Sequence, residues 1–532
     1  MVPMNSAFKF FLFISLTFLF VKDAFPGNDP FTIELEQVPV MNVPTLQSFC
    51  YAKSSGKWLL LAGRTNGLHS FTTSPSFPSW FQNRTMYVYD VATGQVWSRS
   101  VYQDLPLDLA DRLSSTNANY EQVGNKLYIA GGYGLDSTAD SITTFGCMTV
   151  IDVQETIDAV INNQSIASHI RTVEDSRLIN TGGELQYKDG YLYLYAGQRF
   201  YGDYLSPYSV QYYNYTYSKF QVTDNGSVIG ITNFTLYTDT ANLRRRDLNF
   251  LDAIYPDGSP YFANYGAVFT ESTLPWLDPV YVNDTGYAVD NSFSQLFQQY
   301  DCGTLTMFDS TNGSLYTVFF GGLSYYYYDT VISQVVQDSA VPFVHDITYI
   351  TRLSDGTSNQ NILPVRMPDL LGTEARVITD PTVPNYSNWV IKFASLTGRT
   401  LVGYFYGGIL ADTANFGNST TNGNIYAVYV TPTSIGINNI SAEIPDGYEL
   451  SQNYPNPFNP STKIRFAVPR SSYVRLNVYN ALGQKVSELL KKPLSPGTYE
   501  VDWQAQNFSA GVYFYTIEAD GFTQTKKMVL VK

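Results

Sequence analysis

Short segments of alternating apolar and polar residues run through most of the chain. One segment recurs as a strand rich in Leu and Tyr that ends in glycine, and a turn dipeptide such as Asp189-Gly190 or Asn312-Gly313 precedes it. Such dipeptides favour the turns of β-hairpins. The pattern predicts six small antiparallel sheets in an all-β chain. The six copies lie at 57–63, 126–132, 191–197, 260–266, 315–322 and 401–408.

Repeated small sheets favour radial closure, which leaves few open strand edges. The repeat resembles the kelch repeat, whose marks are a Gly-Gly pair after one strand and a later strand with Tyr or Trp. The pair is intact in only three copies. The resemblance implies a kelch-like β-propeller over residues 31–440, with about six blades. Seven blades are an alternative, with 31–40 as a closing strand. A stack of β-sandwich domains would instead need Pro-rich linkers, which the sequence lacks.

The last 85 residues form a separate unit. Proline punctuates 451–460, and alternating segments follow at 462–468, 474–479, 499–503 and 512–517. Such short strands predict a small immunoglobulin-like β-sandwich. We expect a linker at 441–453 and a terminal domain at 454–532. An unrelated adhesive domain of the same type is the alternative.

Four pieces of this unit resemble the C-terminal sorting domain of the type IX secretion system (Por type A). They read Y-P-N-P-F-N-P-S-T from Tyr454, Y-N-A-L-G-Q-K-V from Tyr479, S-A-G-V-Y-F-Y from Ser509 and K-K-M-V-L-V-K at the end. The resemblance implies that the type IX machinery is a partner. It also implies a protein that is secreted or held at the outer-membrane surface of a Gram-negative bacterium.

The N-terminus predicts export as well. Lys9 precedes an apolar run at 10–21, which is too short to span a bilayer comfortably but suits a signal peptide. We expect cleavage near Ala24, so 1–24 is the predicted signal peptide. No later segment qualifies as a transmembrane helix. The three cysteines permit at most one disulfide, and their spacing predicts no zinc site.

Composition narrows the class of protein. Charged residues make up 15% of the 532 residues, against about 25% in an ordinary soluble domain. The net charge of −14 argues against nucleic acid as a partner, since nucleic-acid binders carry a basic footprint. The acidity lies in the body, because residues 448–532 carry 10 basic against 6 acidic side chains. The 43 tyrosines suit an extracellular β-protein.

Candidate ligand contacts come from two patterns. Arg112, Arg177 and Arg246 each stand about twenty residues before a marker glycine, near the start of a predicted innermost strand. Guanidinium groups there could hold an anionic ligand, or they could tie neighbouring blades together. Loops after the marker glycines should share one face and suit sugar or peptide binding. Their candidates are Arg64, Tyr133, Asp136, Arg199, Tyr201, Asp203 and Tyr326.

These features favour a secreted or cell-surface binding protein for an extracellular glycan or protein. The alternative is a sialidase-like glycoside hydrolase, which also uses an arginine cluster. The S-x-D-x-G-x-x-W repeat of that family is missing, and no motif predicts a catalytic residue, metal or cofactor. The histidines at 69, 169 and 345 lie in unlike positions, which argues against a copper oxidase. A purely structural surface-layer role is a third hypothesis.

Overall fold

Strands make up most of the regular structure, which is all-β with a few short helices. The computed structural model describes residues 29–39, 42–415, 417–433, 438–441, 444–505 and 508–532. The predicted signal peptide lies outside the described residues.

The strands are numbered in chain order. The first seventeen are β1 (Phe31–Gln37), β2 (Cys50–Ser54), β3 (Lys57–Leu61), β4 (Thr85–Asp90), β5 (Gln95–Ser100), β6 (Asn119–Val123), β7 (Lys126–Ala130), β8 (Tyr133–Asp136), β9 (Ser141–Thr144), β10 (Cys147–Asp152), β11 (Ile170–Glu174), β12 (Glu184–Lys188), β13 (Tyr191–Tyr195), β14 (Gln198–Tyr201), β15 (Val210–Tyr213), β16 (Thr216–Asp224) and β17 (Ile229–Thr238). The next seventeen are β18 (Asn249–Ile254), β19 (Pro260–Tyr265), β20 (Val280–Asn283), β21 (Gly286–Val289), β22 (Gly303–Asp309), β23 (Ser314–Phe320), β24 (Tyr326–Asp329), β25 (Gln334–Gln337), β26 (Asp346–Arg352), β27 (Ser358–Arg366), β28 (Leu370–Leu371), β29 (Ala375–Thr379), β30 (Ile391–Lys392), β31 (Thr400–Gly407), β32 (Ile409–Ala411), β33 (Ser419–Thr421) and β34 (Ile425–Pro432). The tail adds β35 (Asn438–Ser441), β36 (Glu449–Leu450), β37 (Ser461–Val468), β38 (Ser472–Asn480), β39 (Lys485–Leu494), β40 (Gly497–Gln504), β41 (Gly511–Ala519) and β42 (Phe522–Leu530). The helices are α1 (Val101–Asp104), α2 (Leu107–Arg112) and α3 (Val153–Ile161), with 3-10 turns at Ser79–Phe81, Ala167–His169, Ser176–Leu178 and Phe393–Ser395.

Six antiparallel sheets are built on one plan, and each contains one copy of the sequence repeat. Sheets 1 to 5 run β2-β3-β4-β5, β6-β7-β10-β11, β12-β13-β16-β17, β18-β19-β20-β21 and β22-β23-β26-β27. Sheet 5 has a short fifth strand, β30, which pairs in parallel with β22. Sheet 6 runs β29-β31-β34-β1, so the N-terminal strand β1 is its fourth strand. The segment that the seven-bladed alternative takes as a closing strand therefore completes the sixth sheet.

Six of the hydrophobic clusters in this body each lie between two successive sheets. The cluster of sheets 1 and 2 also takes in α3, and the cluster of sheets 5 and 6 takes in Phe31. Three further clusters join sheets 2 and 3, 3 and 4, and 4 and 5. The last joins sheet 6 back to sheet 1 through residues such as Ile378 and Leu60. The sheets thus follow one another in cyclic order.

The marker glycines form the joints between sheets. In every copy the two residues after the second strand both have positive φ, which L-residues other than glycine rarely adopt. The second of the two donates its N–H to a carbonyl just ahead of the next sheet. The observed pairs are Gly63 to Ser115 (2.8 Å), Gly132 to Asn180 (2.8 Å), Gly197 to Arg245 (2.8 Å), Gly322 to Leu371 (3.1 Å) and Gly408 to Leu46 (2.9 Å).

The joint between sheets 4 and 5 differs from the others. There the first residue of the turn, Gly266, donates its N–H to Oε1 of Gln295 at 2.7 Å, so a side chain takes the place of the third-strand carbonyl that Gly131 and Gly321 bind. Alanine stands in three of the turns, at 62, 196 and 267, yet each has the same left-handed backbone. The joints are therefore more regular than the Gly-Gly pairs in the sequence indicate.

The tail is a separate unit with its own core. One sheet has the order β35-β40-β37-β36 and the other β39-β38-β41-β42. Residues such as Phe466 and Trp503 from the first pack with Leu476 and Tyr515 from the second. The predicted strands at 462–468, 474–479, 499–503 and 512–517 are confirmed. The expected linker, 441–453, contains β36, which pairs with β37.

Substituting a joint glycine tests the role of these turns. A Cβ on Gly131 (φ +70°) would lie 2.0 Å from the Asn180 carbonyl oxygen, whereas a Cβ on Gly56 (φ +74°) would meet nothing within 4 Å. Gly56→Ala should therefore cost only the left-handed alanine penalty of about 1–2 kcal/mol. We expect Gly131→Ala to lower the free energy of unfolding clearly further, measured by urea denaturation. Equal losses in both variants would contradict the role of the joint.

Candidate functional site

Just ahead of the first strands of the six sheets lies a set of six residues, here called the ring positions. Each precedes the start of its first strand, by two residues in sheets 1 to 5 and by one residue in sheet 6. All six have left-handed φ between +42° and +63°. They are Ser48, Asn117, Gly182, Asp247, Asp301 and Glu374.

Three ring positions carry carboxyl groups, and the neighbouring cations neutralise part of this charge. Arg246 forms an ion pair with Asp247, and Nη1 of Arg376 lies 3.0 Å from Asp301. The Asn117 amide donates to Glu374 at 3.0 Å. Burial, followed by the Asp301 charge, raises the pKa of Glu374. The ring is thus an internally satisfied polar network.

Loops cover this end of the first strands. Tyr300, which precedes ring residue Asp301, packs with Val268, Leu323 and Phe343 in an apolar cluster. His69 stacks on Phe77 with ring centroids 4.5 Å apart, and burial lowers the pKa of the imidazole to about 4. This end therefore presents packed side chains.

The three predicted arginines have separate partners. Arg112 binds Glu174, and Arg177 pairs with Asp175 and lies over the Phe234 ring. Only Arg246 reaches the ring positions. The structure does not bring the three guanidinium groups together.

A difference in turn length explains this separation. Arg112 and Arg177 each lie seven residues before the start of a first strand, whereas Arg246 lies three before β18. The β18–β19 turn spans 255–259, while the equivalent turns in sheets 2 and 3 have two residues. Counting about twenty residues back from each marker glycine therefore aligned three arginines that do not occupy equivalent positions.

Three of the predicted loop residues lie together and are tied into the loop structure. Arg64 donates to the Pro78 carbonyl at 3.0 Å. Tyr133 donates its hydroxyl to the Gly202 carbonyl at 2.7 Å. Asp203 accepts the Ser76 N–H at 2.8 Å. These contacts join the loops of sheets 1, 2 and 3.

The other four predicted loop residues lie on small added sheets. Asp136 and Tyr201 belong to the sheet β15-β14-β9-β8, as does Arg199, which donates to Asn214 at 3.0 Å. Tyr326 lies on the separate hairpin β24–β25. The structure thus places these four apart from the ring.

The other end of the first strands encloses a central cavity of about 180 Å³. All six first strands contribute to it, with a segment of the β30 region. Its lining residues are Tyr51, Lys53, Tyr120, Glu121, Gln122, Gln186, Leu251, Asp252, Thr304, Leu305, Thr306, Val377, Thr379, Asn388, Trp389 and Val390. A single water needs only about 10–15 Å³ by this measure, so the cavity has room for a small ligand.

Lys53 contributes an amine to the lining of the central cavity. Its Nζ donates to the carbonyl and hydroxyl oxygens of Thr379, at 2.8 and 2.7 Å, and lies 3.7 Å from the centroid of the Trp389 ring. Burial lowers the pKa of this amine to about 8. Trp389 itself is 39% exposed, so it also presents surface to solvent.

Two half-buried carboxyl groups, Glu121 and Asp252, face the same space. Burial raises the pKa of both well above the usual range. The charges of Asp252 and Glu184 raise that of Glu121 further, while Lys53 lowers it. Two carboxyl groups in one enclosed space can bind a cation, accept hydrogen bonds or exchange protons.

No cavity residue was among the sequence-based candidates. Glu121, Gln122, Gln186 and Asp252 are polar residues inside the first strand of their hairpins, where a buried sheet would favour apolar ones. This excess of polar residues on the strand before each turn is the signal that could have located the cavity.

Comparison with known proteins characterises the tail. Residues 452–532 match the family of the secretion system C-terminal sorting domain. The sorting domain supports export by the type IX secretion system and indicates a secreted or cell-surface protein that interacts with that machinery. No curated protein matches the chain. Among the described residues, no helix is long and apolar enough to cross a membrane.

The buried carboxyl groups predict a pH dependence of stability. Burial raises the pKa of Glu184 to about 8, from 4.5, although Arg376 opposes the shift. The folded state then holds a proton that the unfolded state has released, so stability falls as pH rises from about 4.5 to 8. One proton contributes at most about 1.4 kcal/mol per pH unit. Glu184→Gln should reduce this slope in urea denaturation at several pH values.

Glu271→Gln is the control, since its carboxyl is exposed. It should keep the slope of the wild type. An unchanged slope in Glu184→Gln would contradict the assignment to Glu184.

Proposed function

We propose that residues 31–440 form a six-bladed, kelch-like β-propeller and that 454–532 is the sorting domain. The cyclic order of six sheets and the six cores between them support this architecture. β1 fills the outer position of sheet 6, so the two ends of the propeller would be held in one blade. The first strands are then the innermost strands, and the central cavity lies on the propeller axis.

We propose that this propeller is a secreted binding protein for an extracellular glycan. The observation that carries the proposal is the central cavity, to which all six innermost strands contribute. The Gln186 amide and the Thr306 hydroxyl can bind sugar hydroxyl groups, and Trp389 can contact the apolar face of a sugar ring. A few polar groups among aromatic walls are typical of ligand sites.

The loop residues support a second contact surface. Arg64, Tyr133 and Asp203 mainly form the hydrogen bonds that join neighbouring loops. Arg246 forms its ion pair with Asp247 at the ring positions. Arg199, Tyr201, Asp136 and Tyr326 stay candidates for contacts with a protein or the outer part of a glycan. Arg112 and Arg177 stay candidates for an anionic group, each by itself.

Removing the tail tests the export route. A chain that lacks residues 448–532 should stay in the periplasm, because the sorting domain would be missing. Cell fractionation and protease accessibility of intact cells measure the outcome, with the full chain as control. Surface display of the shortened chain at the level of the full chain would contradict the route.

Two tryptophans test the glycan site. We expect the full chain to be retained on immobilised polysaccharides of a broad panel, and Trp389→Ala to lose at least about tenfold in affinity. The matched control is Trp80→Ala, which removes an indole that is 66% exposed on the β3–β4 loop, outside the cavity. Retention that Trp389→Ala leaves unchanged would contradict the cavity as the site.

Glycoside hydrolysis is the second candidate function. The observation that favours it is that Glu121 and Asp252 share one cavity with raised pKa values, and glycosidases work with two carboxyl groups. The same panel therefore includes an assay for released reducing ends. Turnover that Glu121→Gln abolishes would favour a hydrolase, and retention without turnover would favour binding.

A further inference from the structure

Two carboxyl groups in the central cavity lack the cationic partner that some of the buried acids in this chain have. Among the described residues, Glu121 and Asp252 form no ion pair. By contrast, Asp224 lies 2.8 Å from Arg171, and Asp346 lies 2.9 Å from Arg366. Charged groups removed from water are normally paired, because desolvation is costly.

Lys53 does not neutralise this pair. Its amine is hydrogen-bonded to Thr379 and lies on the Trp389 ring. Its charge affects Glu121 less than the charges of Asp252 and Glu184 do. Arg376, the next cation, is engaged with Asp301, Glu184 and the Tyr120 hydroxyl. The two carboxyl groups of the cavity are therefore left without an ion-pair partner among the described residues.

An amide next to the carboxyl pair is also incompletely bonded. Asn388 lies against Asp252 and lowers the pKa of that carboxyl. Its Nδ2 and Oδ1 atoms are shielded from solvent, yet neither makes a hydrogen bond of normal geometry. The Asn388 side chain thus offers a hydrogen-bond donor and an acceptor beside the two acids, as in a site where a polar ligand supplies the missing partners.

We propose that the central cavity binds a sugar unit that carries a protonated primary amine. The ammonium group lies between Glu121 and Asp252, where charge-assisted hydrogen bonds satisfy both acids. Gln186 and Asn388 bind the hydroxyl groups, and Trp389 contacts the ring. This inference rests on the proposed glycan-binding function and names the class of glycan: one with free amino groups.

Three small sugars test this inference on the full chain. D-Glucosamine carries the ammonium, D-glucose has a hydroxyl in its place, and N-acetyl-D-glucosamine has a neutral amide there. We expect isothermal titration calorimetry near neutral pH to show at least about tenfold tighter binding of glucosamine than of either neutral sugar. Equal affinity for glucose and glucosamine would overturn the inference, and this comparison needs no variant.

Variants then locate the ammonium. Glu121→Gln and Asp252→Asn should each remove most of the preference for glucosamine, while Glu271→Gln, an exposed carboxyl outside the cavity, should keep it. Thermal unfolding checks that each variant is folded. A preference unchanged in both cavity variants would overturn the placement.

Two further outcomes separate this inference from the proposed function. Ethanolamine that binds as tightly as glucosamine would overturn the assignment to a sugar. Retention on neutral polysaccharides of the panel, with no preference for amino sugars, would overturn only the present inference. Failure of every glycan to bind would overturn the proposed function itself.

Discussion

The double left-handed turn after each second strand is the constraint on which the body depends. Its second N–H reaches a carbonyl ahead of the next sheet, and a Cβ at Gly321 would lie 1.8 Å from the Leu371 carbonyl oxygen. Backbones can approach this closely only where side chains are missing or minimal. Because the joint recurs, five of the six sheets meet the next sheet in the same way. The bond from Gly408 to Leu46 joins the sixth sheet to the first and makes the order cyclic.

Cyclic order forces the first strands together and so decides where polar groups must go. Backbone edges and polar side chains from six strands converge on one space, where too few apolar groups are present to form a core. At the ring positions, Arg246, Arg376 and Asn117 satisfy the carboxyl groups, and loops cover them. At the other end the space stays open as the central cavity. The two ends thus differ in whether neighbouring protein groups satisfy the polar side chains, and this difference supports the proposed binding site at the open end.

Much of the strand pattern was predictable, because turn dipeptides and period-two alternation are local signals. Asp189-Gly190 and the strand at 191–195 are found as predicted. The separation of the three arginines was not predictable, because aligning them assumed hairpin turns of equal length. The β18–β19 turn at 255–259 is longer than the equivalent turns in sheets 2 and 3. Gly182 and Glu374 occupy equivalent ring positions although their side chains have nothing in common. What these positions share is a left-handed φ and not a residue type. The cavity was missed for a related reason: Glu121 and Asp252 are 131 residues apart and meet only through closure of the sheets.

The tail and the body have separate sources of stability, and this bears on how export and binding are combined. Every residue of the tail's core cluster lies at or beyond 448, and the six clusters of the body contain none of them. Burial of Trp503 or Phe466 therefore stabilises the sorting domain without affecting the joints at Gly131 or Gly408. The charges are divided in the same way, with the basic excess in the tail and the carboxyl groups of the cavity in the body. The secretion machinery can therefore recognise the tail while the cavity, on which the proposed ligand binding depends, keeps its geometry.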